Sequence, residues 1–384
     1  MKLSDLFPGL ARRSAVNTWT PAHPVTVASV EGWEAATPAA AENLAVVLSC
    51  INVIASNIAS FPVLVYRRDG NARVEVLDHW FTRVMREGPG PYQTWGALVE
   101  SAVASVELHG NALVEIIRDG DAITGFRFLP WGWVTVQLLP GGRMAFDVYE
   151  PVMPGAGAVK RRLLAADVLH LKDRSDDGLV GRSRLSRARD VFLTATSQQT
   201  FARTFLERGA QPSGVISLDA PLTPQQRDQI RLSFNEGHVG AGKAGRALIL
   251  DDGMKWEAMQ VSPEDAELLG SRRFAVEEIA RIYGVPPPMV GDLSHGTFTN
   301  SREAARWFGQ FTLTPRVRRL EAELNRALFG AGSPFEVEFD MSSLLRSDPE
   351  TRWASHKIAV ETGVLDTDEI RQIEGWNPRA VTDG

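Results

Sequence analysis

Cysteine is almost missing from this chain: Cys50 is the single one among 384 residues. That excludes a disulfide framework and any Cys-rich zinc site, and it suits a reducing compartment. No run of about 18 apolar residues occurs, so no membrane-spanning helix is expected. The first residues, MKLSDLFPGLARRS, put Asp5 and Pro8 where a signal peptide needs an unbroken apolar stretch. A secreted or membrane-spanning protein is therefore not expected. Positive charge does not dominate: 41 basic residues face 47 acidic ones, for a net charge of −6. A sequence-specific DNA binder held by phosphate contacts has the opposite balance. Catalytic motifs are scarce too. The seven histidines, at 23, 79, 109, 170, 238, 295 and 356, include no i, i+4 pair, and neither H-E-x-x-H nor G-x-S-x-G occurs. No metal site and no cofactor is expected.

What remains is an ordinary globular composition, 44% hydrophobic and 23% charged. A chain this long buries roughly 75% of its unfolded surface, and at about 150 residues per domain it makes two or three units. Residues 1–38 lack any period and read as an extended arm. Leu44, Val47, Leu48, Ile51, Ile54, Ala55 and Ile58 share one face of a helix over 39–60, with Cys50 inside it as a buried structural thiol. VLVYRR (63–68) reads as a strand. Thr94 caps a helix over 94–108 that stops at Gly110. Short strands then follow, separated by DGD, PGG and PGAG turns, so residues 110–172 read as an antiparallel sheet on the early helices. PGAGAV (154–159) reads as a hairpin turn, His170 as a structural histidine, and Trp131 and Trp133 as pins for a strand edge.

The second half is more helical. A long helix covers 187–208 and another runs from Pro263 to Tyr283, stopped by Gly284 and the prolines at 286–288. Between them, 212–261 reads as a β-α-β module. A polar loop, 291–300, follows. Asn300 and Glu303 resemble a capping box opening a helix to about 329, bent at Pro315. FEVEFD (335–340) reads as a strand. The tail, 348–384, reads as two short helices and is locally acidic.

One motif invites an enzymatic reading. GHVGAGKA (237–244) fits G-x-x-x-x-G-K and is followed by the acidic strand ALILDD. A phosphate-binding loop needs Ser or Thr after the lysine to hold magnesium, and here Ala244 stands there. Three residues separate Lys243 from the next strand, so no helix N-terminus fits to cradle phosphate. A glycine turn is the better reading. The basic residues comprise 35 Arg and 6 Lys. Guanidinium suits interface ion pairs and phosphate contacts, and the same excess fits GC-rich codon usage.

Taken in order, six segments resemble the portal (head-to-tail connector) proteins of tailed bacteriophages, in the branch with long non-contractile tails. They are AVVLSCINVIASNIASFPVLVYRR, LHGNALVEI, DVLHLKDRSDDGLVGRSRLSRAR, FLERGAQPSGVISL, IARIYGVPPPMVG and TFTNSREAARWFGQFTLTP. The likeness covers roughly residues 40–345, and gene transfer agents use the same portal type. Two departures, His109 and Arg184, touch nothing in the inferred mechanism. The resemblance implies an α+β portal fold: an arm (1–38), a wing of antiparallel sheet plus helices (39–186), and stem helices at 187–211 and 262–284 around a clip (212–261). A tunnel loop (285–300), a long kinked helix and strand returning to the wing (301–346) and a small helical crown (347–384) complete it.

The function implied is a non-enzymatic ring, usually of twelve copies, at one capsid vertex of the virion, assembled in the host cytoplasm. Double-stranded DNA passes through it without base readout. The implied partners are the terminase, then a head-tail adaptor, and the major capsid protein, with no membrane. Gly291, Asp292, Ser294, His295, Gly296, Thr297, Thr299 and Asn300 would line the tunnel loop. Gln225, Asp228, Arg231 and Asn235 would form the docking surface of the clip, and Arg272 and Arg273 lie on a stem helix. That 21-residue helix is about 30 Å long, a length over which duplex DNA presents on the order of 18 phosphates. An acidic subunit repeated around a ring repels DNA and lets it slide. Two other readings stay open: a nucleotide-binding packaging enzyme using 237–244, and a minor capsid structural protein.

Overall fold

The computed structural model describes residues 25–26, 37–70, 72–153, 156–207, 214–217, 223–225, 228, 255–258, 263–292, 298–330, 332–342, 349–374 and 376–377. The chain divides into two units. Unit 1 takes 1–55, 101–114 and 128–295, and unit 2 takes 56–100, 115–127 and 296–384.

In unit 1, helix α1 (Pro38–Glu42) is capped by the Thr37 hydroxyl, which accepts from the Ala40 N–H at 3.1 Å. Helix α2 (Ala45–Ser60) begins here, so the helix expected over 39–60 is broken at 43–44. Val47, Cys50, Ile51, Ile54 and Ala55 are buried as their spacing demands. Leu48, expected on that face, is 41% exposed. A four-stranded sheet runs β1–β6–β7–β8, with β1 Val25–Thr26, β6 Val134–Leu138, β7 Met144–Met153 and β8 Ala156–Leu164. All pairs are antiparallel, with Val136 opposite Phe146 and Phe146 opposite Leu163. Alternation carries Val136, Phe146, Val148 and Leu163 to one face, where they pack with Leu113, Leu129, Trp131 and Val168. Strand β8 starts at Ala156, so only the beginning of PGAGAV is left for a turn.

Strand β4 (Asn111–Asp119) begins in unit 1 and pairs with β9 (Val168–Lys172). Residues 110–172 are thus split between two sheets rather than forming one. Helix α5 (Arg184–Arg187) leads to α6 (Arg189–Glu207), and α7 (Pro263–Tyr283) packs on α6. Strands β10 (Gly214–Ser217) and β11 (Lys255–Ala258) form an antiparallel pair. The expected helix and third strand of that module, and the motif 237–244, fall almost wholly outside the described residues.

In unit 2, a three-stranded sheet has the order β12–β2–β3 (Phe335–Phe339, Val63–Asp69, Ala72–Glu75), and Val337 faces Val65. The outer edge of β12 is satisfied by side chains. Asn325 brackets Val337 with bonds of 2.7 and 3.0 Å, and the Phe339 N–H donates to Glu321 at 2.8 Å. Helix α3 (Trp80–Glu87) is capped by His79, whose Nδ1 accepts from the Phe81 N–H at 3.2 Å. Phe81, Trp95 and Phe126 meet edge to face at 5.1 to 6.0 Å. Like α2 and β4, two further elements run across a boundary between the units in sequence: α4 (Trp95–His109), with the expected Thr94 cap, and β5 (Ala122–Leu129).

The long helix is α8 (Phe298–Trp307), a π segment at 308–313 and α9 (Thr314–Leu324). It begins at Phe298, so Asn300 stands inside it and does not cap it. The irregularity lies before Pro315, whose missing N–H and ring exclude a normal preceding turn. Thr314 Oγ1 donates to the Gly309 carbonyl at 2.9 Å, using an acceptor the widened turn leaves accessible. Helices α10 (Pro349–Glu361) and α11 (Thr367–Ile373) form the tail. A capping box opens α11: Asp366 and Glu369 exchange backbone bonds of 2.7 and 2.8 Å. Glu374 holds Arg352 at 3.0 Å and His356 at 2.8 Å.

Candidate functional site

The most heavily determined part of unit 1 is a buried polar junction where α4 ends, β4 begins and the loop after β9 turns into α5. Gly110 has φ +75°, and a Cβ there would stand 2.5 Å from the Ser183 nitrogen. A Cβ on Gly181 would in turn run into the Gly110 carbonyl. Both positions need glycine because two backbones cross in contact. Asn111 reads the crossing with its whole amide: Oδ1 accepts from the Gly181 N–H at 2.7 Å and Nδ2 donates to the Gly181 carbonyl at 2.8 Å. His170 Nε2 lies 3.1 Å from the same Oδ1. Trp131 stacks on the His170 ring at 5.6 Å, so His170 is structural as expected and Trp131 is core rather than edge.

Charge is settled in the same junction. Arg184 Nε lies 3.1 Å from Glu107 and 3.3 Å from Asp173, both nearly inaccessible. One of its Nη atoms donates to the Ile282 carbonyl, in the last turn of α7, at 2.9 Å. The loop itself is braced by Asp177. Burial pushes that carboxyl up, but bonds from the Leu179 and Val180 N–H groups and the Ser175 hydroxyl outweigh it and hold it below the usual range. Arg187, then Arg182, hold the Asp176 carboxyl below the usual range too. His109 is pushed below the ordinary histidine value by burial.

From this junction the chain leads to the expected loop. Past the buried Tyr283, Val285 N–H returns to the Ala280 carbonyl at 2.9 Å, and a 3-10 turn, Pro287–Val290, presents exposed Gly291 and half-buried Asp292. Ser294, His295, Gly296 and Thr297 lie outside the described residues, while Thr299 and Asn300 stand in the first turn of α8. On α7 Arg273 is exposed beside Phe274, which is 55% exposed, and Arg272 is placed by its backbone alone. Gln225 and Asp228 are exposed, whereas Arg231 and Asn235 lie outside the described residues. These expected residues thus belong to separate segments of the chain.

Of the junction residues, Arg184 was noted only as a departure from the family pattern, and Glu107, Asn111 and Asp173 were not singled out by sequence reasoning. The available signal was Gly-Asn after a helix, together with the dense DRSDDGLVGRSR run. Chemically the junction is a bracing device, with each carboxylate set against a guanidinium. Among the described residues no three His, Cys, Asp or Glu side chains gather to hold a metal ion, and no helix is long and apolar enough to cross a membrane.

Comparison with known proteins gives a family match and named relatives. A family model described as "Phage portal protein" matches residues 45–375. The chain is 28% identical over 353 residues to a "Probable portal protein" of Streptomyces phage phiC31, covering 90% of this chain and 77% of that one. It is 29% identical over 344 residues to the "Portal protein" of Enterobacteria phage HK97, covering 87% and 79%. Among solved structures, a chain from the neck of a native GTA particle computed with C12 symmetry is 24% identical and superposes with a TM-score of 0.58 over 87% of this chain and 90% of that one.

Proposed function

The chain belongs to the phage portal protein family, and from that premise we propose that twelve copies close into a ring at one capsid vertex, through which double-stranded DNA enters and leaves. The observation that carries this reading is the family match over residues 45–375, most of the chain. The fold supports it: two long helices, α6 and α7, lie against each other with a strand pair, β10 and β11, between them in sequence. In this reading α6 and α7 are the stem. The segment that carries Gln225, Asp228, Arg231 and Asn235 is the clip, which docks the terminase and later the head-tail adaptor. In this reading Gly291, Asp292, Ser294, His295, Gly296 and Thr297 belong to the tunnel loop, and Thr299 and Asn300 to the helix turn that follows it, as small or polar groups that give DNA no base readout. The net charge of −6 per subunit keeps DNA sliding rather than bound. Helices α10 and α11 form the crown, and the arm meets the major capsid protein. The protein works in the virion and assembles in the host cytoplasm. It hydrolyses no nucleotide in this reading: terminase supplies the work.

Negative-stain electron microscopy of the purified protein, with native mass spectrometry to count subunits, tests the reading. We expect rings with an axial hole wide enough for duplex DNA. A compact monomer or dimer that stays so when mixed with capsid protein would overturn it.

A further inference from the structure

We infer that Arg184 is a positioning residue for the segment Gly284–Asp292, acting through the end of α7; the functional part of this inference rests on the channel reading above. A guanidinium is planar and carries five N–H donors in a fixed fork, so it can meet several acceptors at once where a point charge cannot. Arg184 uses part of that geometry here: one Nη makes a hydrogen bond, while Nε contributes charge to two carboxylates. Its Nε faces Glu107 on α4 and Asp173 at the exit of β9, while an Nη donates to the Ile282 carbonyl. The last carbonyls of a helix lack partners within the helix, and a cation at that end also meets the negative end of the helix dipole. Arg184 supplies both a donor and a cation. Its side chain is 20% exposed and those of Glu107 and Asp173 only 2% and 7%, so little water competes.

What lies downstream gives the contact its consequence. Two residues after Ile282 the chain reverses at Gly284 (φ +73°). Val285 is buried and bonded back to Ala280, and Met289 and Asp292 bond back to Pro286 and Pro287. That is a short, hydrogen-bonded pedestal reaching Asp292. Arg184, together with the edge contact of Phe192 on Tyr283 at 6.4 Å, fixes where the pedestal starts. The Arg184 departure noted in the sequence, which was expected to leave the mechanism untouched, thus sits at the base of the segment that ends at Asp292.

The test uses the full-length protein. Arg184→Met alone strands Glu107 and Asp173 without the guanidinium and can unfold unit 1, so two other variants carry the test. Arg184→Lys keeps the charge but loses the fork. The triple variant Arg184→Met, Glu107→Gln, Asp173→Asn removes all three charges. Hydrogen exchange is followed at Gly284, Val285, Met289 and Asp292 and, as an internal reference, across the sheet at 134–163. We expect protection at the four pedestal amides to fall about ten-fold or more in both variants, the effect of losing one hydrogen bond to a charged group, with the sheet unchanged. Unchanged pedestal amides, or an equal loss across the sheet, would overturn the inference. DNA retention by particles carrying Arg184→Lys then separates the two claims. Loosened amides with lower retention support both. Loosened amides with normal retention leave Arg184 as the pedestal's anchor and overturn the assignment of 291–300 to the DNA channel.

Discussion

Two arginine–carboxylate clusters, one in each unit, use the same chemistry under opposite conditions. At the unit 1 junction, Arg184 serves Glu107 and Asp173, and the acids are only 2% and 7% exposed. On the unit 2 sheet, Arg68 and Arg73 reach across from β2 and β3 to Glu336 and Glu338 on β12, and the arginines are 68% and 45% exposed. Distances are alike: Arg68 is 2.8 Å from Glu336, and Arg184 is 3.1 Å from Glu107. Distance therefore does not rank the clusters. Solvent does, because water screens the surface pairs and frees their side chains to move, while burial makes each charge costly without its partner. The surface ladder decorates a sheet whose register backbone bonds already set. The buried cluster decides whether three segments can meet at all.

The largest effect expected follows from that difference. Glu107→Ala removes a buried carboxylate, leaving the partly buried Arg184 with Asp173 as its other acidic partner and a small void. We expect a loss of about 3 kcal/mol or more in unit 1, the lower end of the range for breaking a buried pair. Chemical denaturation followed by unit 1 tryptophans such as Trp131 measures it. Here the protein concentration must be held fixed, since ring closure shifts the midpoint. A loss below about 1 kcal/mol would put the buried cluster in the same class as the surface one.

Sequence reading fared differently in the two clusters' surroundings, for a physical reason. Helix α7 came out with its true bounds, Pro263 and Tyr283, because its ends are punctuated locally by Pro263 and by Gly284 with the following prolines. The same holds for Thr94 capping α4. Strand β8 was hidden because its residues Lys160, Arg161 and Arg162 obscure any apolar alternation, and their partners Asp147 and Glu150 lie on another strand. Helix α3 was missed because its cap is a histidine rather than Ser, Thr, Asp or Asn. The junction was invisible for the plainest reason: Glu107 and Arg184 lie far apart in sequence, and no local rule pairs them. Asn300 shows the opposite failure. A locally valid capping pattern was overridden, and the helix began at Phe298.

Between the two extremes stands Asp147, which sharpens the comparison by pH. The carboxyl is almost fully inaccessible, while its partners Arg162 and Lys160 are 43% and 49% exposed. Hydrogen bonding from Arg162 holds it below its ordinary value of 3.8, burial opposes this, and Lys160 adds to the lowering. A carboxyl depressed in the fold contributes stability that is complete above its unfolded value and is lost as pH falls through the folded one. The protein's thermal midpoint should therefore fall as pH drops below about 4, partly through this group. Asp147→Asn should lower the midpoint at pH 7 by about 3 °C and flatten the decline between pH 5 and pH 3. An unaltered pH profile in the variant would place Asp147 with the surface pairs.

The smallest effect tests the other end of the comparison. A double-mutant cycle on Arg73 and Glu336, using Arg73→Met and Glu336→Gln, isolates their coupling from whatever each residue does alone. Exposed pairs of this type are coupled by about 0.2–1 kcal/mol. Arg73 also bonds Glu338 and lies over the Tyr66 ring at 4.4 Å, so part of what Arg73→Met removes is packing that the cycle cancels. Salt makes the result decisive. At 1 M salt the screening length is about 3 Å, close to the separation of the charges themselves. The surface coupling should then vanish, whereas the loss caused by Glu107→Ala, at a carboxylate only 2% exposed, should keep most of its size. If both effects shrink together, burial is not what separates the clusters. If neither shrinks, the ladder on β12 is held by its hydrogen-bond geometry and belongs with the junction.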